Sequence, residues 1–208
     1  MLVIFDVEGV LYDAEYLPIL AEYINKETEI WDITKKGIQG VINWEDGLRA
    51  RVDALCGMDY DTCKSVADSL PIMTGARQAC RIFKERGWYT AAVSGGFTIM
   101  TDRLQRELNL DFVASNELLF NDGRLEGVDI FVDSDKSKSI WPKIVEWGQE
   151  RQDIVAIADG ANDLKLFDIA GTSIAFRAQD VVKDKATAIL EEKDLSLAIP
   201  MIDKILCR

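Results

Sequence analysis

The sequence predicts an α/β fold: a parallel sheet covered by helices on both faces, interrupted near its start by a helical insertion. Three observations carry this. Strand-like runs of apolar residues (LVIF, WYTAAVS, DIVAIAD and TSIAF) recur along the 208 residues and do not alternate with polar ones, as strands buried on both faces require. Helix-like segments follow the last three of these runs. The first run is followed instead by Asp13–Met73, which contains no strand candidate.

The elements follow in order. Leu2–Asp6 is a short buried strand. After it, Pro18 suits a first helical turn, and Tyr16, Leu17, Leu20, Tyr23 and Ile24 have helical spacing. Further helices are predicted over Ile30–Ile38, Trp44–Leu55 and Asp59–Leu70, separated by Gly40 and Gly57. A helix over Gly75–Arg86 leads into the second strand, Trp88–Ser94, and a helix over Phe97–Leu108 leaves it. In Phe120–Ile130, Asp-Gly lies between apolar residues, which predicts a β-hairpin. A helix over Ile140–Val145 precedes the third strand, Asp153–Asp159, and a helix over Asn162–Ile169 follows it. The fourth strand, Thr172–Phe176, is followed by helices over Asp180–Lys185 and Asp194–Cys207. Residues 1–12 and 75–208 then form the core domain, and 13–74 an inserted helical cap.

Composition narrows the function. A net charge of −12 would repel a nucleic-acid backbone. The four cysteines form no CxxC pair, so neither a zinc site nor a disulfide framework is indicated. There is no histidine, which removes Ser-His-Asp triads, Cys-His pairs and His-ligated metals. Acid–base chemistry falls to carboxylates, Lys, Cys or Tyr. No apolar run approaches the ~20 residues of a membrane span, and the N-terminus lacks the basic flank of a signal peptide. The expectation is a soluble cytoplasmic protein, monomer or homodimer, with no nucleic-acid or membrane partner.

Asp6 and Asp159 end predicted strands, and Ser94 ends a third. Sites in open α/β sheets form beyond the carboxyl ends of strands, so these three residues can converge, with Glu8, Asn162 and Asp163 in the loops just past them. Clustered carboxylates repel one another unless a cation sits among them, and a few hard oxygen donors with room for water suit Mg²⁺. A carboxylate there can attack phosphorus. Lys136 can offset phosphoryl charge, and the glycines of SGGF and DGAND let backbone N–H groups approach a phosphate. An Asp at a strand end is ordinarily a turn former or helix cap. The weight lies in the ordered series of strand–Asp, strand–Ser-Gly, Lys, strand–Asp-Gly.

That series resembles the haloacid dehalogenase superfamily over nearly the whole chain: FDVEGVL, VSGGF, DKSKSI and ADGAND stand where its four motifs stand. The forms VSGGF and DGAND, and the helical insertion, look like its phosphoserine phosphatase branch. The resemblance implies a Rossmann-like core with a C1-type helical cap and a small β-hairpin. It implies Mg²⁺-dependent hydrolysis of a small phosphorylated metabolite, phosphoserine above all, through an aspartyl-phosphate on Asp6. Glu8 would be the general acid and base, with Ser94 and Lys136 (or Lys138) on the phosphoryl group. Glu15 would hold the substrate ammonium and Arg51, in LRARV, its carboxylate. Trp44 would shield the site, and Gly95, Gly96 and Asn162 would contact substrate. Asp6, the Glu8 carbonyl and Asp159 would hold the metal, with Asp163 supporting it. Three positions depart from the usual pattern: Glu8 for a second Asp, Val10 for Thr or Pro, and Ala158 for Gly. Glu at the second position also resembles a phosphoserine–homoserine phosphotransferase. Phosphoryl transfer to an alcohol, another phosphomonoester substrate and a catalytically silent ligand binder therefore stand as alternatives.

Overall fold

The computed structural model describes residues 1–38 and 41–207; Gly40, expected to separate two helices, lies outside them. Strand β1 (Leu2–Phe5) is buried throughout and lies mid-sheet. To one side lie β2 (Tyr89–Phe97), β3 (Phe112–Asn121) and β4 (Arg124–Asp129); to the other lie β5 (Ile154–Ala158), β6 (Thr172–Phe176) and β7 (Ala188–Leu190). The order is β4-β3-β2-β1-β5-β6-β7, and only the β3–β4 pair is antiparallel.

Alternate residues of β1 feed two cores. Val3 and Phe5 pack on the side of α5 (Ala76–Glu85) and α6 (Thr98–Leu108), and Leu2 and Ile4 on the side of α7 (Ser137–Glu146) and α8 (Leu164–Ile169). Both faces of the strand are thus covered, as its apolar run requires. The short α9 (Asp180–Lys183) and the terminal α10 (Ala198–Leu206) complete the helical layers.

Between β1 and α5 come four helices: α1 (Tyr16–Glu22), α2 (Glu27–Ile38), α3 (Trp44–Leu55) and α4 (Tyr60–Ser69). Local chemistry sets their starts. The Asn43 side chain accepts from the Asp46 N–H (3.0 Å), and Asp59 from the Thr62 N–H (2.8 Å), each satisfying a helix-end donor. Leu17, Leu20, Leu48, Val52 and Leu55 of these helices join Phe97 and Met100 in one continuous apolar cluster. Burying each of those leucines contributes on the order of 2 kcal/mol.

The structure corrects three expectations. The second strand does not stop at Ser94 but runs to Phe97, with an irregularity against β3 between Val93 and Phe97, so SGG belongs to a bulged strand end. The hairpin turns at Asp122-Gly123, both with positive φ, the type I′ geometry that Asp-Gly favours. Its first strand starts eight residues before Phe120, at Phe112, and that half runs parallel to β2. A seventh strand, β7, carries no expectation at all, and Asn162 and Asp163 lie in a 3₁₀ turn ahead of α8.

Candidate active site

The chain reverses direction across the sheet at β1, whose neighbours are β2 and β5. That is the switch point where a crevice opens beyond the strand ends. Phe5 is level with Ala92 of β2 and Ile157 of β5, so Asp6, Ser94 and Asp159 emerge together. They line one cleft with Glu8, Glu15, Trp44, Arg51, Gly95, Gly96, Lys136 and Asn162. Of the expected site residues only Asp163 lies behind this lining, fully buried.

At the floor, Lys136 is buried and its Nζ lies 2.5 Å from both Asp6 Oδ1 and Asp163 Oδ1. Burial alone would depress the ammonium, but Asp163 and Asp6 outweigh it and hold Lys136 charged. Lys138 is exposed and pairs with Asp133 at 3.0 Å; of the two lysines it is Lys136 that lines the cleft. Oxygens of Asp6, Asp159 and Asp163 lie within 4.8 Å of one another. Burial pushes Asp159 well above the usual carboxylate range, with Asp6 and Asp163 adding to it. Burial and Asp6 push Asp163 up to about 7 against the pull of Lys136. Three hard oxygen donors that repel one another, with a single lysine to offset them, fit a divalent cation of the Mg²⁺ type. Gly9 is held at φ +81, and a Cβ there would collide with the Asp159 carboxylate, so only glycine lets the turn after Asp6 pass this cluster.

Glu8 folds back from the acidic cluster. Its Oε1 accepts the Tyr16 N–H of α1 at 2.6 Å, and its Oε2 lies over Gly96, where a Cβ would come within 2.9 Å. The extra methylene relative to Asp is thus taken up between the first turn of α1 and the bulge of β2. Burial raises the Glu8 carboxyl, partly opposed by that N–H, and Asp6 raises it further.

The roof comes from the helical insertion. Trp44 lies against the Gly95 backbone, 2.5 Å from where a Cβ would stand. Arg51 is aimed by two contacts, Nε to the Gly47 carbonyl (3.1 Å) and Nη1 to Thr34 Oγ1 (3.2 Å). Among the described residues it has no carboxylate within ion-pair distance, and neither has Glu15 a cation. Burial pushes the Glu15 carboxyl well up, Glu8 and Asp159 adding to it, and burial lowers Arg51. Two opposite charges thus face one cleft without meeting, leaving space for a group that carries both signs.

Sequence reasoning missed Thr34 and Asn116. Thr34 is buried and orients Arg51. Asn116, buried in β3, donates to the Gly95 carbonyl. A lone Thr in a helix carries no signal, but an Asn in a strand is unusual enough to flag.

Comparison with known proteins agrees with this geometry. A sequence model of haloacid dehalogenase-like hydrolases matches residues 1–171. A phosphoserine phosphatase of Methanocaldococcus jannaschii is 34% identical over 197 residues, covering 93% of each chain. One from Archaeoglobus fulgidus is also 34% identical, over 93% of this chain and 57% of its own length. A solved structure of a phospho-aspartyl intermediate analogue of phosphoserine phosphatase superposes with a TM-score of 0.92 at 33% identity, over 96% of this chain and 97% of that one.

Proposed function

The chain belongs to the haloacid dehalogenase-like hydrolases, and we propose that within them it hydrolyses L-phosphoserine to L-serine and phosphate. The observation that carries the substrate is the unpaired Glu15–Arg51 couple facing the cleft above Asp6. A carboxylate for an ammonium and a guanidinium for a carboxylate are what an amino-acid head group requires.

In this reading a carboxylate oxygen of Asp6 attacks phosphorus, and the bond from phosphorus to the serine oxygen breaks. Glu8 gives its proton to that leaving oxygen. Glu8 then takes a proton from water, whose oxygen attacks the aspartyl-phosphate, freeing phosphate and the Asp6 carboxylate. Ser94, Lys136 and the N–H groups of Gly95 and Gly96 hold the other phosphoryl oxygens. Asn162 contacts substrate. Asp6, Asp159 and the Glu8 carbonyl would hold Mg²⁺, supported by Asp163, and the ion would supply positive charge to the phosphoryl oxygens. Residues 13–74 form a lid on a core of 1–12 and 75–208, and the protein works in the cytoplasm on a free metabolite, as monomer or homodimer.

Asp6→Asn should abolish Mg²⁺-dependent release of phosphate from L-phosphoserine with an unchanged circular dichroism spectrum; appreciable turnover would remove Asp6 as nucleophile. Arg51→Ala, losing a charge-assisted contact, should lower kcat/KM for phosphoserine by about 10- to 100-fold while sparing p-nitrophenyl phosphate. Glu8 favours one rival, transfer to an alcohol: a new phosphoester on adding homoserine would establish it.

A further inference from the structure

Asn116 is fully buried in β3, a poor place for an asparagine unless its amide is satisfied. All three of its hydrogen bonds go to backbone. Nδ2 donates to the Gly95 carbonyl (2.9 Å), and Oδ1 accepts from the N–H groups of Phe131 and Val132 (2.9 Å each). One carbonyl and two N–H groups fix which end of the amide is oxygen.

Those partners are the two backbone segments that carry the phosphoryl ligands. Gly95 lies in the bulge where β2 leaves its ladder with β3 between Val93 and Phe97, and Phe131–Val132 open the loop that delivers Lys136. The Gly95 carbonyl and the Gly96 N–H belong to one rigid peptide plane, so holding the carbonyl sets the direction of that N–H. It donates to Ser94 Oγ at 2.9 Å. A Gly-Gly peptide offers little resistance of its own to rotation, and its orientation has to be imposed by a neighbour.

We propose that Asn116 is a positioning residue of the phosphoryl site: it fixes the Gly95–Gly96 peptide, whose N–H holds the Ser94 hydroxyl, and ties that peptide to the loop bearing Lys136. This rests on the phosphatase reading and adds to it a buried residue that touches no substrate.

Asn116→Asp is isosteric. It keeps the acceptor for Phe131 and Val132 but sets an oxygen against the Gly95 carbonyl. Inhibition by orthovanadate and kcat/KM for phosphoserine should weaken on the order of a hundredfold, the range for losing one preorganised oxyanion donor. L-Serine, held by Glu15 and Arg51, should bind as to wild type. Parallel losses for vanadate and L-serine, or no loss for either, would overturn the proposal. Should that variant not fold, Asn116→Ser, whose shorter side chain withdraws the amide that links the Gly95 carbonyl to Phe131 and Val132 without adding charge, is read the same way. In the wild-type protein the Gly96 amide resonance should shift on adding vanadate; an unmoved resonance also overturns it. Wild-type protein without phosphoserine turnover would instead sink the phosphatase reading.

Discussion

Gly95 shows how a single residue can be dictated from across the site. Its φ is not in the positive region, so backbone freedom does not require glycine there. The requirement is steric, because the Trp44 indole occupies the space a Cβ would take. Gly95→Ala should push the indole off the bulge and lower kcat by ~10- to 100-fold, as misplacements of about 1 Å do. In Trp44→Ala/Gly95→Ala the two losses should be less than additive, since both act on one contact. Strictly additive losses in steady-state kinetics would show that the indole does not seat there. Neighbouring Gly96 plays the same part toward Glu8. Both glycines, Asp6, Glu8 and Ser94 were legible in the sequence because they stand in short ordered motifs. Thr34 and Asn116 were not, because their importance lies in a partner distant along the chain: Arg51 for one, Gly95 for the other.

At the scale of elements, legibility followed composition. The apolar runs of β1, β5 and β6 fell within a residue of their predicted ends. The parallel half of β3, FVASN, was missed because Ala, Ser and Asn dilute its apolar signal, and β7 because it has three residues. The insertion's helices were readable, but its attachment was not. Backbone bonds from Gly57 to Leu125, from Leu125 to Met58 and from Tyr60 to Gly123 join the α3–α4 turn to the hairpin tip. Arg124 bonds the Gly57 carbonyl, and Tyr60 packs edge-on against Phe120 at 5.1 Å. Among the described residues helix α2 has no such strap, and Trp31, Asp32, Lys35 and Lys36 on it are exposed. Opening of the cleft should therefore leave the α3–α4 turn in place and lift the α1–α2 end. Native-state hydrogen exchange should find the amides of Gly57, Tyr60 and Leu125 slower than those of α2; equal rates would mean that the insertion moves as one body.

For the whole molecule, the acids that surround the site are a cost to the fold, and the sign of that cost can be worked out. Asp163 titrates near 7 in the folded chain against an ordinary 3.8, and burial also raises Asp159, Glu15 and Glu8. Below 3.8 both states of Asp163 hold the proton and nothing is lost. Between about 4 and 7 the unfolded chain releases protons that the folded chain keeps. Stability then falls as pH rises, and the loss is complete above about 7. Lys136 stays charged throughout this window and contributes a constant term. The lowered carboxylates, Asp59, Glu107, Asp111 and Asp133, act below their ordinary values of 3.8 to 4.5 and lie outside the range from pH 5 to pH 8. In chelator, the urea midpoint should therefore decline from pH 5 to pH 8. A divalent ion competes with those protons, so Mg²⁺ should raise the midpoint more at pH 8 than at pH 5; at a hundred times its Kd it stabilises the fold by roughly 2.7 kcal/mol. Repulsion among the surface acids of a chain of net charge −12 would give a similar decline without the metal dependence. Asp159→Asn separates the two, because it removes one member of the cluster and changes the surface little. Its decline with pH should be shallower and its response to Mg²⁺ weaker. A variant as steep and as responsive as wild type would place the cost on the surface and not at the site.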